Sequence, residues 1–398
     1  MPPTPERPLR VAFLSMGGAN WIAGTYYLKN ILLAIRSLGR GAPVESTLLV
    51  PKGTPTDNSD GLVACADRVL PLPRRAFWEL GLLELQRRLG RALGPEPRLA
   101  AYLRQHQVDA IFRGGEFGPQ FKLPLLGWIP DFQHVRLPEM FSARELRSRD
   151  QEFSRVAAYS TRVIVSSRDV HRDFQRFAPH AAHKARVMPF VAQVPPDLYD
   201  TDCTQVCNQY GLPRSFFYLP NQFWKHKNHT VVVEALRLLR ARQKEITVVC
   251  SGRTLDDRHP RYFPELQDRV RALGLRSSMI ILGVVPHSHV FQLMRQCVAV
   301  LQPSLFEGWS TSVEEVKSVG KRILLSDIPV HREQGPSQAV FFDPHDAEAL
   351  ARGLITTLAD CAPGPDLELE ATARSRLALR TMEFGENFAA IVREATQR

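Results

Sequence analysis

Cysteine is scarce: there are six in 398 residues, none in a C-x-x-C pair, and Cys203 with Cys207 makes at most half a zinc site. A disulfide framework or a structural zinc centre is therefore not expected to organise the fold. No apolar run approaches the roughly 18 residues of a membrane span. The Pro-rich start, MPPTPERP, lacks the features of a secretory signal, so a cytoplasmic location is expected. Repeats of solenoid length and low-complexity tracts are also missing. Acidic charge is the minority sign, with 41 Asp and Glu against 51 Lys and Arg, a net charge of +10. The excess lies in residues 1–200, which hold 27 basic against 19 acidic residues and leave 24 against 22 for the rest. Such a surface admits polyanions, lipid phosphate and acidic glycans, and composition does not choose among them.

What is present is an alternation of short apolar runs with helical periods. In the first half, Leu9 to Ser15, 46–50, 68–72, Val108 to Phe112, Leu123 to Ile129 and Val163 to Ser167 read as strands. In the second, Phe216 to Leu219, Ile246 to Cys250, Met279 to Leu282, Val298 to Gln302, Arg322 to Ser326 and Val340 to Phe342 do the same. The alternation predicts an α/β chain with parallel sheets. Length favours two domains. The proline-rich residues 187–214 read as a linker between residues 1–195 and 210–375, and Phe384 to Glu394 reads as a terminal helix.

The most informative stretch runs from Val298 to Gln334. A strand ends at Pro303, a small polar loop follows, a helix covers Val313 to Val319, Gly320 stops it, and a second strand begins at Arg322. Glu307 lies in the loop and Glu315 in the first helical turn, with seven residues between them. A phosphate at the helix N-terminus, near Ser310, Thr311 and Ser312, would lie between these carboxylates, and hydroxyl groups on either side of it would each meet one acceptor. That suits a sugar, a diphosphate and a ribose in a row. Ser312 with Glu315, and Thr311 with Glu314, also read as capping boxes.

These residues, with Ser304-Leu305-Phe306-Glu307-Gly308, Gly320-Lys321 and Asp327-Ile328-Pro329, resemble the E-x7-E signature of the retaining GT4 glycosyltransferases. The resemblance implies a GT-B fold of two Rossmann-like domains facing each other across a cleft, with the terminal helix, about 380–398, crossing back to the first. It implies Glu307 near hydroxyls of the donor sugar and Glu315 on the ribose of a nucleoside diphosphate. It also implies a UDP- or GDP-sugar as donor, a glycan or lipid-linked acceptor, and no metal or other cofactor. This chain has Trp309, Ser310, Thr311 and Ser312 after Glu-Gly, where the family usually has an aromatic residue, Gly and two apolar residues.

Other candidates follow in chain order. Gly17 and Gly18 end the first strand without completing G-x-G-x-x-G; they form either a turn or a close approach to phosphate or sugar. Arg74 to Leu93 is basic and amphipathic, either a core helix with a solvated face or a peripheral contact with the inner face of the membrane. After Ile129, Pro130 stands where the family usually has His; Asp131 is retained and His134 is the nearest imidazole. Asp131 and His134 join Glu307 as catalytic candidates. After Leu219, Lys227 matches the family's diphosphate Lys, Gln222 replaces its Arg, and Lys225 is a second cation. The loop from Gly283 to His289 resembles the segment that meets the nucleobase. Two rival readings are a nucleotide-sugar 2-epimerase of the same fold and a non-catalytic polyanion- or glycan-binding protein. Nucleic acid is disfavoured, because basic residues are not interleaved with aromatics in a recognisable module and the paired Glu residues repel phosphates.

Overall fold

The computed structural model describes residues 7–14, 22–51, 61–72, 96–113 and 117–397. Gly17, Gly18 and the basic segment 74–93 lie outside the described residues. Two compact units result. The first comprises residues 1–132, 143–191 and 379–398; the second comprises 133–142 and 192–378. Residues 133–142, which the sequence reading leaves in the first domain, group with the second. There Arg258 lies over the Phe141 ring at 4.5 Å and donates to Gln133 Oε1 at 3.3 Å, while His259 Nε2 lies 3.1 Å from the Met140 carbonyl oxygen.

The first unit contains seven parallel strands: β1 Leu9–Leu14, β2 Val44–Pro51, β3 Arg68–Leu72, β4 Ala110–Phe112, β5 Leu125–Ile129, β6 Arg162–Val165 and β7 Ala185–Val187, in the order 3-2-1-4-5-6-7. The second contains six: β8 Phe217–Leu219, β9 Val248–Cys250, β10 Met279–Ile281, β11 Val300–Gln302, β12 Ile323–Ser326 and β13 Ala339–Phe342, in the order 10-9-8-11-12-13. All pairs in that sheet are parallel too. Both faces of the second sheet are covered, which is why its strands read as unbroken apolar runs. Phe217, Leu219, Val248, Cys250, Leu301 and Leu324 fill one face, and Tyr218, Val249, Val300, Ile323 and Leu325 the other. Strand order reverses between β8 and β11. In such a sheet the crevice beyond the carboxyl ends of those two strands is the natural ligand position.

The stretch read as a linker is more ordered than its prolines suggest. It holds a 3-10 turn, Pro196–Tyr199, and a helix, Cys203–Gln209, whose N-cap Asp202 accepts from the Thr204 N–H. Val194, Leu198, Tyr199, Val206 and Cys207 are buried in the second unit's core. The prolines stop regular strands, and the apolar residues between them still gain from burial.

The terminal helix is longer than its sequence pattern shows, spanning Leu367–Thr396 without a break. In the first unit its Phe388 ring lies 5.7 Å from Phe13 and 6.1 Å from Phe112. Among the described residues, no helix is long and apolar enough to cross a membrane.

Candidate functional site

Two loops meet at the strand-order reversal of the second unit: residues 220–228 after β8, and 303–310 after β11. Asn228 holds the first in place. It takes a left-handed conformation, φ 58°, which Asn tolerates better than most residues, and its amide donates to the carbonyls of Pro303 (3.1 Å) and Pro344 (2.8 Å). Just before it, a 3-10 turn over Lys225–Lys227 presents two lysines.

Glu307 and Lys227 are joined directly. Lys227 Nζ donates to Glu307 Oε1 at 2.6 Å, and the two side chains are 14% and 9% exposed. Ser304 Oγ donates to the same oxygen at 2.7 Å. The sequence reading gave the two charged groups separate partners, a sugar and a diphosphate. In the fold they neutralise each other, because a carboxylate this buried requires a counter-charge.

The Thr311–Val319 helix begins two residues earlier than its apolar pattern indicates, and neither capping box forms. Ser310 is the N-cap and makes no side-chain cap hydrogen bond. Its Oγ accepts from Gln302 Nε2 at 2.7 Å, its N–H donates to Gln334 Oε1 at 3.0 Å, and its carbonyl accepts from Gln334 Nε2 at 3.0 Å. Thr311 and Ser312 therefore occupy the first turn instead of capping it, and Ser312 Oγ turns to the Pro220 carbonyl at 3.3 Å. Glu314 accepts from Lys317 and Gln334. Glu315 instead meets His287, whose Nε2–H donates to Oε1 at 2.8 Å. The N–H groups of the first turn are those a helix leaves for an anion. Gly320, at φ 67°, ends the helix, and a β-carbon there would lie 2.3 Å from the Leu369 carbonyl oxygen.

Sequence reasoning missed the polar frame beneath these groups. Asn221, Gln302, Ser310 and Gln334 are all buried and bonded in series, with Asn221 donating to Gln302 and Gln302 to Ser310. None has a distinctive spacing, since each comes from a different place: the loop after β8, the end of β11, the loop after it and the end of the Pro329–Gln334 helix. His287 was missed as a partner for the same reason. Gln222 is held on one side, where its Oε1 accepts from the Arg253 N–H at 2.7 Å.

Lys225 is exposed, with its backbone N–H on Asp256 at 3.2 Å. His134 is buried at 2% exposure on the short helix Gln133–Arg136 of the second unit. Asp131 belongs to the first unit, where it lies 3.7 Å from Arg149. Among the described residues, no group of three or more His, Cys, Asp or Glu is placed to hold a metal ion.

Two buried imidazoles flank the loops. His331 Nδ1–H donates to the Ser326 carbonyl at 2.9 Å, its Nε2 has no hydrogen-bond partner among the described residues, and burial pushes its pKa down to about 4. His229 stacks on Phe223 at 4.2 Å, and burial, helped by the charge of Lys227, pushes it down to about 3. Both rings are neutral in the fold but titrate near 6.5 in the unfolded chain, which therefore binds more protons below that pH. Stability is lost as pH falls from about 6.5 towards 4, by about 2–3 kcal/mol per ring at pH 4.5. Urea unfolding at pH 7 and 4.5 is expected to show this fall, and His229→Phe and His331→Asn should each flatten it. An identical fall in both variants would refute the assignment.

No curated protein sequence matches the chain. Among solved structures, Anabaena HepE in complex with UDP-glucose superposes with a TM-score of 0.65 at 19% identity, covering 96% of this chain and 98% of that one. The sucrose-phosphate synthase of Thermosynechococcus elongatus gives 0.65 at 16%, covering 96% of each chain. The UDP-forming trehalose-phosphate synthase of Burkholderia xenovorans gives 0.62 at 12%, covering 98% of this chain and all of that one. At these identities the likeness establishes the fold, which is GT-B with two Rossmann-like units. Within that fold, residues 212–374, the bulk of the second unit, match the family described as glycosyl transferases group 1.

Proposed function

We propose that the chain is a retaining, GT4-like glycosyltransferase that moves a sugar from a nucleoside diphosphate sugar to a hydroxyl of a glycan or glycolipid. The observation that carries this reading is the placement of Glu307 and Glu315 on either side of a helix N-terminus at the strand-order reversal, one paired with Lys227 and the other with His287. The family match over residues 212–374 supports it. UDP is favoured over GDP as the carrier because HepE was crystallised with UDP and with UDP-glucose. A cytoplasmic location, with the acceptor met there or at the membrane face, belongs to the same reading.

In this mechanism the diphosphate lies at the first turn of the Thr311–Val319 helix, where N–H groups and the helix dipole oppose its charge. Lys227 turns from Glu307 towards the phosphate as the donor binds. That releases Glu307 to accept from sugar hydroxyls, while Glu315, oriented by His287, accepts from the ribose. Charge developing on the departing diphosphate is met by Lys227, Lys225 and the helix N-terminus. The leaving phosphate takes the acceptor proton on the face where the new bond forms, so configuration is retained.

A thermal-shift panel of UDP-, GDP-, ADP- and dTDP-sugars, with and without Mg²⁺, tests this. One base is expected to raise the melting temperature of the native chain by several degrees, and Glu315→Ala to abolish the rise. If no donor moves the native chain, the reading fails.

A further inference from the structure

We propose that Asp256 and Arg258 are positioning residues that tie the lysine turn Lys225–Lys227 to residues 133–142, so that a diphosphate held at the turn orders the segment that carries His134; this rests on the nucleotide-sugar reading above. The loop after β9 touches both segments. Along the loop after β8, Arg253 N–H donates to Gln222 Oε1 at 2.7 Å, Phe223 N–H to the Arg253 carbonyl at 2.9 Å, and Lys225 N–H to Asp256 Oδ2 at 3.2 Å. Gly252 makes this approach possible. At φ 147° it adopts a backbone that L side chains rarely take, and a β-carbon there would lie 2.3 Å from the Asn221 carbonyl oxygen. On its other side the loop meets residues 133–142, which group with the same unit. Arg258 lies over the Phe141 ring at 4.5 Å and donates to Gln133 at 3.3 Å, and His259 Nε2–H donates to the Met140 carbonyl at 3.1 Å.

The two sets of contacts join at Asp256. It is 3% exposed, and its oxygens serve different sides: Oδ2 accepts from the Lys225 N–H, while Oδ1 accepts from the Arg258 N–H at 3.0 Å and lies 3.9 Å from Arg258 Nε. A carboxylate can do this because both of its oxygens accept. An amide has one acceptor oxygen, so Asn would keep one side and lose the other. A charge this buried is also costly to leave short of donors. A shift of the turn alone, or of the segment alone, therefore breaks a bond to a buried carboxylate. When phosphate draws Lys225 and Lys227 to itself, the turn loses freedom, and through Asp256 and Arg258 the Gln133–Arg136 helix loses it too.

The test is amide hydrogen exchange of the full chain, of Asp256→Asn and of Arg258→Met, each free and with UDP at about ten times its Kd, measured by calorimetry. In the native chain UDP is expected to slow exchange about tenfold in residues 223–228 and also in 133–142. In each variant the slowing should stay in 223–228 and be lost in 133–142. Slowing confined to 223–228 in the native chain would overturn the coupling. Slowing of 133–142 that persists in either variant would overturn the role of these residues, since a merely structural contact raises exchange in the free variant without uncoupling the segments. A variant that no longer binds UDP would make its residue part of the phosphate site and overturn the positioning role. A native chain with no slowing in 223–228 would overturn the nucleotide-sugar reading itself.

Discussion

Replacing Lys227 with Met should lower turnover by about 10²- to 10³-fold, the scale of losing one group that meets developing charge. It should also destabilise the second unit by about 3 kcal/mol, because Glu307 would remain buried without its cation. Glu307→Gln should be equally damaging to turnover but milder for stability: Ser304 still has an acceptor at 2.7 Å, and Lys227, at 14% exposure, reaches water more readily than the carboxylate does. The double variant Lys227→Met/Glu307→Gln should recover much of the stability and none of the turnover. Urea unfolding and initial rates of the four proteins in the cycle measure both. Strictly additive stability losses would mean that the pair is not coupled as drawn.

Arg295→Met should have the largest effect on stability, about 3–5 kcal/mol, without touching the site. Arg295 is 4% exposed on its side chain and Glu370 is 9% exposed; Nε meets Oε1 at 2.6 Å and Nη2 meets Oε2 at 3.1 Å. The same guanidinium donates to the carbonyls of Leu198, Tyr199 and Thr201, so one side chain satisfies five acceptor oxygens, two carboxylate and three carbonyl. Lys321, whose pKa burial pushes down, adds bonds to the carbonyls of Arg295 and Gly364. Without Arg295 the carbonyls and the carboxylate lose their donor together. Adding Glu370→Leu to Arg295→Met is expected to restore part of the loss, since the charge left unpaired is removed. A change below about 1 kcal/mol in Arg295→Met by urea unfolding would refute the role given to this cluster.

Strand positions were the most legible part of the fold, because a sheet covered on both faces writes itself as short apolar runs. Val300–Gln302 and Ile323–Ser326 fall within the runs read from sequence, and Arg68–Leu72 coincides with its run. Helix starts were less legible. Thr311 and Ser312 have capping chemistry, but Gln302 and Gln334, distant in sequence, bind Ser310 instead and move the start of the helix. At the candidate site, spacing and resemblance single out the two carboxylates and Lys227 but not their pairing. Lys227 and Glu307 are eighty positions apart, and only the fold brings them within 2.6 Å.

The arrangement of the second sheet also fixes the order in which this part of the chain assembles on the ribosome. β8 is the first strand of that sheet to be made, yet it is central, and one of its edges waits for Val300 to pair with Tyr218. The loop carrying Lys225 and Lys227 waits longer, since Asn228 takes its second carbonyl from Pro344. β8 keeps an open edge until Val300 has emerged, 82 positions after Tyr218, and the lysine loop lacks its Pro344 contact until 116 positions after Asn228. Contacts this far apart in sequence form slowly, and an unpaired strand edge is a surface to which other chains adhere. The nascent second unit is thus open to such adhesion until β11 has been made.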